Sequence, residues 1–170
     1  IQRSRGLGDV YKRQGIDYDE TFNQSSRFER YKEQFEKLKS DGRIYACYET
    51  PEELERKRKL QMAAGGKQVY DRSALKLTKQ QIKDYENDGR KPHWRFLLQT
   101  ERMKWNDLLK GVIDIDLTSL SDPVLFREDG VPLYTFSSAV DDIDYNITNV
   151  IRGDDPVSYT HLTLPTNGLG

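Results

Sequence analysis

Tyr134, Ser138 and Asp142 recur at steps of four, and Arg152-Gly153-Asp154-Asp155 follows ten residues after the last of them. On a helix, steps of four place side chains on one face. Arginine offers a planar fork of donors that grips a carboxylate with two parallel hydrogen bonds. Tyr134 and Ser138 add hydroxyls beside it. The chemistry such a set supports is recognition of a small ligand carrying a carboxylate. A second set, Arg56-Lys57-Arg58-Lys59, has the charge to contact phosphates. The same run also reads as a solvated helix face, with Glu52, Glu53 and Glu55 as neighbours at helical spacing. Cys47 is the single cysteine.

These residues need elements to position them. Asp129-Gly130 is a turn signal after the apolar run Val124-Leu125-Phe126, and Pro132 is suited to open a helix. A β-type run, Ile147 to Ile151, then delivers Arg152 beyond its carboxyl end, where open α/β sheets bind ligands. Upstream, Arg27 to Ser40 is predicted helical: Phe28, Tyr31, Phe35 and Leu38 form one stripe, and Gly42 is a stop. Ile44 to Tyr48 reads as a strand. Thr50 with Glu53, and Thr78 with Gln81, are capping boxes; Pro51 sits in the first turn of one helix, which ends near Gly65-Gly66, and Gly89 ends the other. His93 to Leu98 and Gly111 to Leu117 read as strands, the latter on its period-two alternation. His93 reads as a packed strand residue rather than a metal ligand.

Composition narrows the classes. The chain has 170 residues, of which 32% are charged and 35% hydrophobic, with a net charge of −1. That charge does not announce a nucleic-acid binder, so any RNA contact must rest on local patches. One cysteine excludes an intramolecular disulfide framework and suits a reducing cytoplasm. No apolar run approaches the ~20 residues of a membrane span. Residues 1–14 (IQRSRGLGDVYKRQ) and 157–166 (VSYTHLTLPT), within the tail 157–170, lack periodicity and look like translated adaptor sequence. Both are expected to be non-native tails.

The ordered motifs between those tails resemble the bacterial-type glutamyl-tRNA synthetases. The resemblance rests on Gly130, Pro132, Tyr134, Val140-Asp141-Asp142, Ile147-Thr148 and Val150-Ile151-Arg152-Gly153. Upstream it includes Gln24-Ser25-Ser26-Arg27 with Tyr31, then Tyr45, Cys47-Tyr48, Thr50-Pro51-Glu52-Glu53-Leu54 and Tyr70-Asp71. Gly89-Arg90-Lys91-Pro92, Arg95-Phe96 and Asp107-Leu108-Leu109-Lys110-Gly111 complete it. It covers about residues 16–155.

The resemblance implies an α/β fold: part of a Rossmann-like class I synthetase catalytic domain with a mixed α/β connective insert. Residues 15–45 would end its first half. Residues 46–122 would form the insert that binds the tRNA acceptor end, and 123–156 would begin the second half. The implied activity is glutamate–tRNA ligation: L-glutamate and ATP give glutamyl-adenylate, and the glutamyl group passes to the 3′ end of tRNA(Glu). Positioning and charge stabilisation carry such chemistry. The implied glutamate contacts are Tyr134, Ser138 and Arg152. Asp154 and Asp155 would help order the ATP region, and Arg56, Lys57, Arg58 and Lys59 would meet tRNA.

ATP implies Mg²⁺. The expected partners are tRNA(Glu), L-glutamate and ATP, with no membrane; the expected parent is a monomeric cytoplasmic protein. Ser138 departs from the asparagine, and Asn149 from the histidine, common in relatives. Some relatives bind zinc through a Cys-x-Cys pair, a tyrosine and a third cysteine; the matching positions here read Cys47, Glu49, Tyr70 and Ala74. One thiolate with one carboxylate does not make a closed tetrahedral site, so no zinc is expected.

Three other readings stay open: a paralogue that glutamylates a tRNA base, a glutaminyl-tRNA synthetase, and a non-catalytic tRNA-binding module. The family's HIGH-type motif is expected upstream of residue 16 and its KMSKS-type loop downstream of residue 155. The 170-residue chain is therefore expected to give no ATP–pyrophosphate exchange by itself, and measurable exchange by the purified chain would contradict that.

Overall fold

The structure is a computed structural model, and it describes residues 15, 20, 22–66 and 69–150. A 3₁₀ turn, Gln24–Arg27, leads into helix α1, Phe28–Ser40. Gly42 stops that helix at φ +64°, a conformation that costs residues with a Cβ. Its N–H reaches Lys39 O, and Arg43 N–H reaches Leu38 O, the paired closure of a Schellman end. Strand β1, Ile44–Cys47, follows directly.

Helix α2, Pro51–Ala63, starts at Thr50, whose side chain accepts from Glu53 N–H while Glu53 reaches back to Thr50 N–H. The same box, Thr78 with Gln81, opens helix α3, Lys79–Asn87. Strands β2, His93–Phe96, β3, Arg102–Asp107, and β4, Gly111–Asp116, come next, then β5, Val124–Phe126, and helix α4, Tyr134–Asp144.

β1, β2 and β5 form one sheet in that order, and β3 and β4 form a separate hairpin. Every pairing among the described residues is antiparallel. In the β1–β2 register Ile44 faces Phe96, Tyr45 faces Arg95, and Cys47 faces His93. Side chains alternate across a strand, so the sheet carries a core on each face. One holds Tyr31, Ile44, Leu125, Phe126, Phe136 and Val140, with Phe35 and Trp94 packed against it. The other holds Tyr45, Cys47 and Ala74 beside Tyr70, Leu77 and Leu97. Among the described residues no helix is long and apolar enough to cross a membrane.

Three expectations change. Helix α4 starts at Tyr134, with Leu133 as its N-cap, and Pro132 lies outside it. Leu133 N–H bonds Leu125 O, and Pro132 bridges Phe126, so this backbone is held extended against β5 before a helix can begin. Residues 147–150 carry no strand, and Ile151 lies outside the described residues. Ile147 N–H is instead used to close the end of α4, on Asp142 O. Strand β3 was not anticipated, although Met103 and Trp105 alternate with polar residues along it.

Candidate functional site

Helix α4 carries the candidate ligand residues. Tyr134, in its first turn, is 63% exposed, whereas Ser138 one turn on is buried. Asp142 is half-buried. The helix therefore presents Tyr134 outward while Ser138 sits against the protein. Arg152, Asp154 and Asp155 lie outside the described residues.

What fixes α4 is a polar network that sequence reasoning missed. Asp141, 5% exposed, accepts from Arg27 Nε at 2.7 Å, from Gln24 Nε2 at 2.9 Å, and from the Tyr31 hydroxyl at 2.9 Å. Arg27 also reaches Asp144. Arg30 grips Asp144 with Nε at 2.9 Å and Nη2 at 2.8 Å. Hydrogen bonds from Arg30 hold the Asp144 carboxyl below its usual range, against the opposing effect of burial. Burial and the bond to Asp141 push the Tyr31 phenol up to about 12. Arg27 lies over the rings of Phe22 and Tyr145, 5.4 and 4.9 Å from their centroids. Gln24 and Arg27 belong to the Gln-Ser-x-Arg element, so that element's described work is to clamp α1 to the helix bearing Tyr134 and Ser138.

A second buried network joins the chain's middle. Asp122 accepts from Tyr45 Oη at 2.6 Å, from Arg72 Nε and Nη2 at 2.8 Å each, and from Leu98 N–H at 3.0 Å. Its carbonyl accepts from Arg95 Nη1 at 2.6 Å. Arg72 holds a left-handed backbone at φ +54° to make this contact. A local signal for these pairs does not exist in the sequence, since Arg72 and Asp122 lie 50 residues apart.

The basic run divides. Lys57 turns inward: its ammonium bonds Glu49 Oε1 at 3.2 Å and also meets Ser73 and Asp71. Arg58 and Lys59 lie on the exposed side, 3.9 and 3.8 Å from Glu55, and Arg56 is exposed as well. Phosphate contact and a solvated face thus both apply to Arg56, Arg58 and Lys59, while Lys57, half-buried, is tied to Glu49 and Ser73.

The residues around Cys47 bear on metal binding. One donor atom each from Cys47, Glu49 and His93 lies within 4.8 Å of the others. Strand register brings His93 there, opposite Cys47. Glu49 Oε2 and His93 Nε2 are buried without a hydrogen-bond partner. Glu49 Oε1, however, already accepts from Tyr70 Oη at 2.6 Å and Ser73 Oγ at 2.9 Å as well as from Lys57. Burial alone would raise the Glu49 carboxyl, but these hydrogen bonds outweigh it and hold the group below its usual range. Burial pushes the Cys47 thiol up to about 11. The buried Arg95 guanidinium, stacked 4.2 Å from the Tyr70 ring centroid, adds a second fixed cation. A neutral thiol, a carboxylate already neutralised by an ammonium, and Ala74 at the remaining family position do not fit a closed zinc set.

Burial and Arg95 push His93 from 6.5 down to about 4. The folded state thus keeps His93 neutral, while the unfolded chain takes up its proton first as pH falls. Its contribution is complete above the unfolded value of 6.5 and is lost as pH drops toward about 4. Stability should fall across that window by on the order of 1–2 kcal/mol, the shift being discounted for the part of His93 that solvent reaches. Urea midpoints measured through it should fall with pH in the wild type and much less in His93→Gln; equal slopes would contradict this.

Comparison with known proteins fits this geometry. The family model described as tRNA synthetases class I (E and Q), catalytic domain, matches residues 7–162. Glutamate–tRNA ligase 1 of Maricaulis maris (strain MCS10) is 54% identical over 141 residues, covering 83% of this chain and 32% of that protein. Glutamate–tRNA ligase 1 of Wolbachia sp. subsp. Brugia malayi (strain TRS) is 56% identical over 150 residues, covering 88% and 34%. A crystal structure of a glutamate tRNA ligase from Elizabethkingia meningosepticum, in complex with its amino acid, superposes with a TM-score of 0.72 at 26% identity. It covers 89% of this chain and 32% of that one. The chain thus spans about a third of the length of the relatives it matches. Because the family match runs through both buried networks and helix α4, the chain belongs to the class I tRNA synthetases of the glutamate and glutamine branch, within their catalytic domain.

Proposed function

We propose that this chain is part of a glutamate–tRNA ligase that uses ATP, with Mg²⁺, to activate L-glutamate and then charges tRNA(Glu). The observation that carries this reading is the 54–56% identity to proteins named glutamate–tRNA ligase, over a segment that includes α4. In this reading Arg152 holds a carboxylate of glutamate, because a planar guanidinium matches it better than an ammonium would. Tyr134 stands available to ligand at the start of α4, and its exposure supports that role. Ser138 supplies a hydroxyl one turn on, and Asp154 and Asp155 order the ATP region.

Residues 46–122 are the insert that meets the tRNA acceptor end, with Arg56, Arg58 and Lys59 supplying its outward charge; Lys57 serves the interior. The parent works as a monomer in the cytoplasm. It holds no zinc, a reading supported by the cations and the neutral thiol around Glu49.

The experiment is Arg152→Ala in the full-length protein that contains this segment. Loss of such a charged contact costs ~2–5 kcal/mol in binding. Glutamate KM in ATP–pyrophosphate exchange should rise steeply, with little change in the KM for ATP. An unchanged glutamate KM would remove Arg152 from the site.

A further inference from the structure

We propose that the Lys57 ammonium is the resident cation of a metal-free clasp: with the Tyr70 and Ser73 hydroxyls it gathers on the Glu49 carboxylate and ties three segments together. This rests on the reading that the protein holds no zinc.

The geometry is specific. Glu49 leaves the end of β1, Lys57 projects from the middle of α2, and Tyr70 and Ser73 flank the turn that follows α2. All three donors meet one oxygen, Glu49 Oε1, at 2.6, 2.9 and 3.2 Å. Lys57 also donates to Ser73 Oγ and lies 3.5 Å from Asp71 Oδ2, so one ammonium bonds both the strand end and the turn. It stands 5.7 Å from the Tyr70 ring centroid as well.

A divalent ion among Cys47, Glu49 and His93 would take the second oxygen, Glu49 Oε2, of the carboxylate whose first oxygen holds this ammonium, beside the Arg95 guanidinium. Like charges brought together in a partly buried site repel strongly. The clasp therefore does by hydrogen bonding what a structural metal does by coordination. α2 has little else to hold it. The Thr50 cap sets only its start, and its other described side-chain ties are Glu53 to Arg90 at 3.0 Å and Gln61 to Val69 O at 2.8 Å. None of its residues is buried.

The test uses the 170-residue chain grown with zinc in the medium, with thermal unfolding, metal analysis and Co²⁺ titration as readouts. The wild type should carry far less than one equivalent of zinc and show no thiolate–cobalt absorption. Lys57→Met should lower Tm by roughly 4–8 °C, and it should bind cobalt more tightly than the wild type, because the ammonium that neutralises the Glu49 carboxylate is gone. Lys57→Arg, which keeps the charge, should lose less Tm than Lys57→Met and stay free of cobalt.

Stoichiometric zinc in the wild type overturns the metal-free reading and the clasp with it. A Lys57→Met variant with unchanged Tm, in a zinc-free wild type, overturns the clasp alone. Should Lys57→Met fail to fold, Glu49→Gln/Lys57→Met decides, since it removes both charges together. Recovery of a cooperative transition supports the clasp, and its absence overturns it.

Discussion

Asp122→Ala is expected to cost about 3–5 kcal/mol of folding stability, enough to lower Tm by roughly 10 °C or more. Asp122 is 2% exposed and accepts four hydrogen bonds on its carboxylate, two of them from Arg72. Removing the carboxylate leaves the Arg72 guanidinium, the Tyr45 hydroxyl and the Leu98 N–H facing one another. A buried donor without a partner costs its full desolvation. Arg72 would also retain its left-handed backbone at φ +54° without the contact that holds it there. Asp122→Asn keeps one acceptor oxygen and should lose less. Thermal or urea unfolding of the three proteins checks this; equal stability of wild type and Asp122→Ala would contradict it.

The second large effect is expected at Asp141→Ala, again about 3–5 kcal/mol. Its carboxylate collects Gln24, Arg27 and the Tyr31 hydroxyl, and Tyr31 is itself 2% exposed in the core. The loss should be local as well as global. α4 would lose the Asp141 half of its polar tie to α1 while keeping Asp144 on Arg27 and Arg30 and its contact with β5, so Tyr134 and Ser138 would be held less firmly. Tyr31→Phe, which removes only one donor, should cost about 1 kcal/mol. Hydrogen exchange of the α4 amides separates the two consequences: faster exchange in α4 is expected, and unchanged exchange with unchanged Tm would contradict the clamp.

Features written in a few adjacent residues were legible. Thr50-x-x-Glu53 and Thr78-x-x-Gln81 both form the expected reciprocal caps, and Gly42 ends α1 in the expected left-handed conformation. Features set by distant partners were not. The start of α4 moved to Tyr134 because the backbone around Pro132 is taken up by β5. The run 147–150 is β-branched enough to suggest a strand, yet the described chain gives it no partner to pair with. Strand β3 was readable in Met103 and Trp105, but the charged residues between them hid it.

The candidate site shows the same division. Tyr134 and Ser138 were found by spacing, whereas Asp141 and Arg27, which hold their helix, pair across 114 residues. His93 reaches Cys47 only through the β1–β2 register, so no motif along the chain could place it there. Lys57 looked like one of four outward cations until packing turned it toward Glu49.

The most direct test of the central claim is tRNA charging with labelled amino acid by the full-length protein encoded by the gene that contains this segment in frame. Glutamate, ATP and tRNA(Glu) together should give glutamyl-tRNA, with the label on the terminal ribose and released by mild base. Glutamine should not replace glutamate. Charging with glutamine instead, label attached to a tRNA base, or tRNA binding with no glutamate transfer would each contradict the glutamate–tRNA ligase reading.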